Sequence, residues 1–184
     1  WVKELGSINP DNFYYIVPDA LEEKDKTIES CKDFLQKYPD LPGKSIGVVQ
    51  GKTYDEIKEC YQFMSKNADT VAISFDYSYY VKMKPCEINK FFSWMYGRQE
   101  LIDKLITEGV WNHDKEHHLL GCGVPQEFKH YKSIKSIVSC DTSNPIVMGL
   151  LGYRYDEVTG LDFKESIKLV DLFEAELDDE QLDN

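Results

Sequence analysis

The stretch KSIGVVQGKTYDEIKECYQFMSKNADTVAISFD, residues 44–76, contains two apolar runs on either side of one amphipathic segment. The runs IGVV and TVAISF are almost wholly apolar, as expected for strands that are buried on both faces of a sheet. Between them, Thr53 and Glu56 have the spacing of a helix capping box. Four residues after them recur on one helical face and predict an apolar stripe: Ile57, Cys60, Tyr61 and Met64. A strand, a helix and a strand in this order predict one unit of a parallel sheet.

The same alternation continues on both sides of this stretch. We predict further strands at 13–19, 117–121 and 136–141, and further helices at 22–38, 88–109, 124–134 and 162–177. Residues 77–87 are expected to form an aromatic loop, and residues 151–160 fit either a last strand or an irregular loop. The pattern predicts a parallel α/β fold in a single domain over residues 1–184, with an acidic tail at 174–184. Both a (β/α) barrel and an open doubly wound sheet fit this pattern.

Composition limits the classes of partner. The chain has a net charge of −12, which opposes non-specific binding to nucleic acid. No apolar run approaches the roughly 20 residues of a membrane span, and no leader pattern is present, so we expect a cytoplasmic protein that does not bind membranes. The five cysteines are scattered without a CxxC spacing, and His113, His117 and His118 lack the spacing of a metal-binding helix. We therefore expect no metal and no cofactor.

Polar or small residues close each predicted strand, namely Asp19, Gln50, Ser74, Gly121 and Asp141. In parallel α/β folds the carboxyl ends of the strands meet at one edge of the sheet. A carboxylate accepts hydrogen bonds and an amide both donates and accepts them, so together these groups can recognise a purine edge. A second acid beside them could act as a nucleophile or on a proton. Helix capping is the alternative for Asp19 and Asp141, although the residues after Asp141 do not indicate a strong helix.

Three segments between residues 13 and 145 also follow the pattern of a known family: YIVPDALEEKDKTIESCKDF, IGVVQGKTYDEIKECYQFMSKNADTVAISF and HLLGCGVPQEFKHYKSIKSIVSCDTSNP. They resemble, in the same order, blocks of the queuine-type tRNA-guanine transglycosylases and their DNA-modifying deazaguanine relatives. The last segment is the most specific, because leucine-glycine, proline-glutamate and a terminal acid all fall in register. The resemblance implies a (β/α) barrel of transglycosylase type that is incomplete at the N-terminus of this sequence.

The resemblance also implies roles for individual residues. Asp141 matches the nucleophile that attacks the ribose C1′ and holds the sugar covalently after the base leaves. The remaining matched positions would bind the base or its surroundings: Asp19, Gln50, Gly51, Ser74, Phe75 and Gly121. The implied reaction replaces guanine in a nucleic acid by a purine or deazapurine base of the 7-deazaguanine type, through a covalent aspartate–sugar intermediate.

The sequence departs from the family at three places. The other catalytic aspartate of the family has no counterpart here and would precede Trp1. The cysteine-rich zinc module that follows the nucleophile in the family is absent, and TSNP stands where the family tends to have proline and arginine. The last two departures and the negative net charge favour DNA over tRNA as the substrate, with a free nucleoside left open.

Two other functions remain open alongside the transglycosylase. The first is a non-catalytic purine-binding or partner subunit, with a homodimer also left open. The second is a nucleoside or glycoside hydrolase that uses Asp141 with Asp19 or Asp76. Tyr77, Tyr79 and Tyr80 follow a predicted strand end, where they would either border the substrate and stack on a base or pack their loop onto the rim of the fold.

Overall fold

The computed structural model of the protein describes residues 13–75, 77–86, 89–156 and 160–161, together with residues 4 and 9. The predicted helix at 162–177, the acidic tail at 174–184 and Asp76 lie outside the described residues. The described elements are, in chain order, β1 (Tyr14–Ile16), α1 (Lys24–Lys37), β2 (Lys44–Val49), α2 (Tyr54–Asn67), β3 (Thr70–Ile73), α3 (Ser78–Met83), α4 (Lys90–Thr107), β4 (Glu116–Leu119), α5 (Glu127–His130), β5 (Ile137–Cys140) and α6 (Asn144–Leu150).

The five strands form one sheet in the order β1-β2-β3-β4-β5, and each neighbouring pair is parallel. The predicted parallel α/β fold is therefore confirmed. The spatial order of these five strands follows the chain without a reversal. A doubly wound sheet reverses its order at a switch point, and the described strands contain none.

The main core lies between the helices and one face of the sheet. In α2 the predicted apolar stripe of Ile57, Cys60, Tyr61 and Met64 is fully buried against this face. The predicted capping box at the start of α2 is also present, with the Thr53 side chain and the side chain of the third helical residue each accepting a hydrogen bond from the other's backbone. Helix periodicity thus fixes which side of the sheet the helices cover.

The opposite face of the sheet is concave. Side chains from every strand line one cavity of about 510 Å³ on this face, among them Tyr14 of β1, Ile46 of β2, Thr70 of β3, His118 of β4 and Ser139 of β5. Because the first and last strands of the row reach the same cavity, the sheet must curve around it. We call this side the concave face.

The structure corrects two predictions about loops. Residues 77–87 were expected to form a loop. They contain α3, which is stabilised by burial of the Tyr80 side chain in the core. A helix also follows Asp141: α6 has Pro145 in its first turn, where a missing N–H is tolerated, and buries Val147 and Met148. Residues 151–160 contain an isolated bridge rather than a strand within their described part. Within the described ranges, none of the helices has the length and apolarity that a membrane crossing requires.

Candidate functional site

Candidate site residues follow the ends of all five strands. Asp19 follows β1, Gln50 follows β2, Ser74 follows β3, Gly121 follows β4 and Asp141 follows β5. Since the strands are parallel, all five residues lie at the carboxyl edge of the sheet, where catalytic groups of such folds are found. Hydrogen bonds join four of them into two separate pairs: Asp19 with Gln50, after β1 and β2, and Gly121 with Asp141, after β4 and β5. These pairs are called the first and the second group.

Asp141 belongs to the second group, and its carboxylate is held by one oxygen. Oδ1 lies 3.0 Å from Nε2 of His118 and accepts a hydrogen bond from the backbone N–H of Gly121 at 3.1 Å. Oδ2 has no hydrogen-bond partner within the described residues, and the side chain is 62% exposed. The carboxylate is therefore oriented by two partners at one oxygen, while the side chain as a whole remains largely exposed.

Helix capping does not explain Asp141. The N-cap residue of α6 is Ser143, and the first helical N–H, that of Asn144, donates to the Thr142 side chain and not to Asp141. The same holds for Asp19, because Glu23 is the N-cap residue of α1 and makes no side-chain capping bond. The alternative that both acids serve as caps is thus wrong.

A register shift in β5 places Asp141 beside His118. His117 pairs with Ile137, but His118 pairs with Ser139, so Val138 is an extra residue in the ladder. Side chains alternate between the faces of a strand, and one extra residue reverses which of them face a given side. The bulge therefore turns Ser139, rather than Val138, towards His118. The Ser139 Oγ lies 2.8 Å from Nδ1 of His118.

Gly121 is fixed from the helix side by a buried guanidinium. Arg98 of α4 donates hydrogen bonds to the carbonyl oxygens of Ile73, Leu120 and Gly121 at 3.3, 3.0 and 2.9 Å. Arg98 also pairs with both carboxylate oxygens of Glu127, at 2.8 and 2.9 Å, and both side chains are fully buried. Gly121 has φ +64°, a conformation that favours glycine, and its N–H then points at Asp141.

Asp19 and Gln50 form the first group. Gln50 is 3% exposed; its Nε2 donates to Asp19 Oδ2 at 2.7 Å and its Oε1 accepts from the backbone N–H of Glu22 at 2.8 Å. Both ends of this amide are thus used inside the protein, and its observed contacts hold the loop between β1 and α1 rather than leave it open to a base. Asp19 itself is exposed, and its Oδ1 makes no hydrogen bond within the described residues.

The other predicted binding positions lie in packed surroundings. Phe75 is 8% exposed and packs against Phe91 and Trp94 in a second apolar cluster. The backbone of Ser74 is contacted by tyrosine hydroxyls, since its carbonyl accepts from Tyr80 at 3.1 Å. Gly51 is buried where the chain enters α2, and a Cβ there would lie 2.8 Å from a backbone nitrogen.

The tyrosines after β3 pack the fold. Tyr77 and Tyr80 are fully buried, and Tyr79 packs against the same core. The Tyr77 hydroxyl donates to the carbonyl oxygen of Val49, and burial raises the pKa of its phenol. The idea that Tyr77 and Tyr80 are exposed for base stacking is therefore wrong, and the packing alternative holds.

Metal-binding and thiol chemistry are not prominent in the described part of the chain. No group of three or more histidine, cysteine or acidic side chains there is arranged to hold a metal ion. His117 is buried, and its Nε2 lies 2.9 Å from the Tyr61 hydroxyl. Burial raises the pKa of Cys60 to about 11 and that of Cys122 to about 12, so neither is a thiolate at neutral pH.

Four residues that support Asp141 or Gly121, directly or through one another, were not predicted as site residues from the sequence: His118, Ser139, Arg98 and Glu127. The signal for His118 and Ser139 was present, because His118 opens the HLLG run and Ser139 stands two residues before the terminal acid of the next strand. Only the bulge brings them together. Arg98 lies within an amphipathic helix where a charged residue is ordinarily expected to face solvent.

A scan against models of known protein families and a search of curated proteins both find no match to this chain. The class of the protein is therefore defined by its fold and its site alone. It is a parallel α/β protein that presents an oriented carboxylate at the carboxyl edge of a curved sheet.

Proposed function

We propose that the protein is a base-exchanging glycosyltransferase of the tRNA-guanine transglycosylase type, in which Asp141 attacks the C1′ atom of a nucleoside unit. The single observation that carries the proposal is the geometry of Asp141. One oxygen is fixed by His118 and Gly121, and the side chain as a whole is largely exposed at the carboxyl edge of the sheet. A nucleophilic carboxylate needs this combination, because a carboxylate that is already oriented loses less entropy when its other oxygen attacks.

The reaction proceeds in two displacements. The Asp141 Oδ2 lone pair forms a bond to C1′ while the C1′–N bond breaks, and its electron pair leaves with the base, which takes up a proton. An incoming base then loses a proton, its nitrogen bonds to C1′, and the Asp141–C1′ electron pair returns to the carboxylate. The N–H of Gly121 stabilises the carboxylate in both ground states.

Asp19 is the proposed group for recognising the base. It is exposed, Gln50 fixes its Oδ2 at 2.7 Å, and its Oδ1 can accept hydrogen bonds from the N–H groups of a purine or deazapurine edge. Gln50 then supports Asp19 instead of touching the base. If the sheet were flat, β1 and β5 would lie about 19 Å apart, four strand spacings. Curvature of the sheet is therefore needed to bring a base at Asp19 and a sugar at Asp141 within one ligand.

The curvature favours a (β/α) barrel over an open sheet. Five consecutive parallel strands keep the order of the chain, and side chains from all of them line the cavity on the concave face. In a barrel of this type the strands follow one another around a closed ring and the helices lie outside. We propose that the five strands form part of such a ring.

A covalent adduct tests the proposal. The full chain is incubated with guanine-containing DNA, with tRNA and with guanosine, and the mass of the protein is measured after denaturation. We expect a sugar-linked adduct with the wild type and none with Asp141→Asn, since an amide cannot attack with a full negative charge. An adduct that persists in Asp141→Asn would refute the assignment of the nucleophile.

Asp103→Asn is the matched control. Asp103 is an exposed acid that also lies 3.0 Å from a histidine, His130, but it is located on α4 away from the strand ends. We expect Asp103→Asn to form the adduct as the wild type does. Loss of the adduct in both variants would show that a general change of charge, and not the nucleophile, is responsible.

A hydrolase acting on the same bond is the second candidate. The 62% exposure of Asp141 favours it, because water can reach an intermediate bound there. Release of free base without incorporation of an added base would assign the protein to this class. Incorporation of a labelled base would assign it to the transglycosylases.

A further inference from the structure

Three side chains form a continuous hydrogen-bonded chain on the concave face. Ser139 Oγ lies 2.8 Å from Nδ1 of His118, and Nε2 of the same ring lies 3.0 Å from Oδ1 of Asp141. The His118 side chain is 16% exposed, so its ring is held between its two partners with little access to water. The serine and the acid therefore contact different nitrogens of one ring.

The protons of this hydrogen-bonded series can be assigned from what Asp141 and Ser139 are able to donate or accept. An ionised carboxylate only accepts hydrogen bonds, so Nε2 must carry a proton to bond Asp141. A neutral imidazole carries one proton, so Nδ1 is then an acceptor, and the Ser139 hydroxyl must donate to it. With a hydrogen instead on Nδ1 and none on Nε2, two lone pairs would face each other between the ring and Asp141.

We propose that Asp141 fixes the Nε2-protonated tautomer of His118, that Ser139 donates to Nδ1 and fixes the orientation of the ring, and that His118 thereby positions Asp141 for attack. Ser139 and His118 are positioning residues in this scheme, because they act through the carboxylate and not on the substrate. The assignment of the tautomer stands on the geometry alone. Its catalytic consequence rests on the proposed function of Asp141.

The β5 bulge supports a role beyond packing. Without the register shift, His118 would pair with Val138, and the strand would turn an apolar side chain towards the ring. Bulges occur next to active sites, where they redirect a side chain at the expense of regular pairing. Here the redirected side chain is the hydroxyl that contacts Nδ1 of His118.

The tautomer can be measured directly by NMR on nitrogen-15-labelled protein. The sequence has four histidines, and the signals of His118 are assigned as those missing from His118→Gln. At a pH where the ring carries one proton, we expect Nε2 to be protonated in the wild type. The signal of the unprotonated Nδ1 should shift in Ser139→Ala, which removes the hydroxyl that donates to it. A wild-type ring protonated at Nδ1, or an Nδ1 signal unchanged in Ser139→Ala, would overturn the proposal.

Ser139→Thr and Ser143→Ala are the controls for this measurement. Threonine retains the hydroxyl and suits a strand, so Ser139→Thr should retain the wild-type Nδ1 signal. Ser143 is an exposed serine near the site whose side chain does not cap α6, so Ser143→Ala should leave the ring unchanged. A shift of the Nδ1 signal in Ser143→Ala would show that the spectra report general perturbation and would overturn the assignment to Ser139.

The kinetic test uses a double mutant. Ser139→Ala is expected to slow adduct formation roughly tenfold to a hundredfold, as loss of an orienting partner typically does, and Ser139→Thr is expected to restore it. In the His118→Gln background Ser139→Ala should have no further effect, because the ring nitrogen to which Ser139 donates is absent there. Equal effects of Ser139→Ala in both backgrounds would refute the proposed role of Ser139.

Failure of the proposed role of Ser139 and failure of the proposed function give different results. If the wild type forms no adduct but shows the expected tautomer and the shift of Nδ1 in Ser139→Ala, the proposed role of Ser139 holds and the glycosyltransferase proposal fails. If the adduct forms and Nδ1 is insensitive to Ser139, the glycosyltransferase proposal holds and the role of Ser139 fails.

Discussion

The buried ion pair between Arg98 and Glu127 should dominate the stability of the carboxyl edge of the sheet. Both side chains are 0% exposed, and the guanidinium also donates to carbonyl oxygens at the ends of β3 and β4. The Tyr131 hydroxyl donates to the same carboxylate at 2.8 Å. We consider the substitution Arg98→Met, which retains an unbranched apolar side chain and removes every donor of the guanidinium.

The expected magnitude follows from what Arg98→Met leaves behind. Glu127 would remain buried without its cation, and removal of one partner of a buried pair typically costs about 3–5 kcal/mol. For a domain of this size each kcal/mol lowers the melting temperature by roughly 2–4 °C, so we expect a decrease of about 6–20 °C. A loss of this size is a large part of the roughly 5–15 kcal/mol that stabilises a typical domain.

Urea unfolding of matched variants measures this expectation. Lys58→Met removes a partly exposed pair with Glu108, 2.7 Å long, and should cost about 0–1 kcal/mol. The double variant Arg98→Met with Glu127→Leu should be less destabilised than Arg98→Met alone, because it leaves no buried charge. A cost for Arg98→Met no greater than that for Lys58→Met would refute the reasoning, as would a double variant less stable than the single one.

Three further predictions concern other parts of the fold. Burial lowers the pKa of His117 from 6.5 to about 4, so the unfolded chain binds the proton more tightly than the folded protein does. The free energy of unfolding should therefore fall by about 3 kcal/mol as the pH drops from 6.5 to about 4, and acid titration of His117→Gln should lack this fall. Gly97→Ala would place a methyl group 2.7 Å from the Cα of Tyr80 and should cost about 1–3 kcal/mol in urea unfolding. A methyl group at Gly149 would meet no atom within 4 Å, so Gly149→Ala should stabilise the protein by about 0.5–1 kcal/mol. Thr53→Ala removes the capping box of α2 and should cost about 1 kcal/mol by the same measurement.

The parallel sheet could be predicted from the sequence because its signals are local. An apolar run of four to six residues, a capping box and a stripe of 3.6-residue period each follow from the energetics of a short segment. The stripe of α2 was predicted residue by residue for this reason. The short helices α3 and α6 were missed, since each has only six or seven residues and depends on tertiary burial more than on its own propensity.

The surroundings of the site depend on contacts between distant segments and could be predicted only in part. Parallel pairing implies that Asp19 and Asp141 share an edge of the sheet, but it does not give the rotation of each side chain. Gln50 illustrates the limit: its position after a strand suggested an open amide, whereas the fold uses both ends of that amide to hold a loop. Burial of a polar group is decided by the partners that the tertiary structure provides.

Asp141 is held from both sides of the sheet, and this arrangement explains why its neighbours are so varied in kind. On the helix side, Arg98 fixes the carbonyl of Gly121, whose N–H then meets the carboxylate. On the concave face, Ser139 contacts the ring of His118, which meets the same oxygen. Both chains end on Oδ1, and Oδ2 has no hydrogen-bond partner within the described residues. A residue that served only to close a strand would not require two independent supports of one oxygen, so the geometry favours a carboxylate that acts through the other.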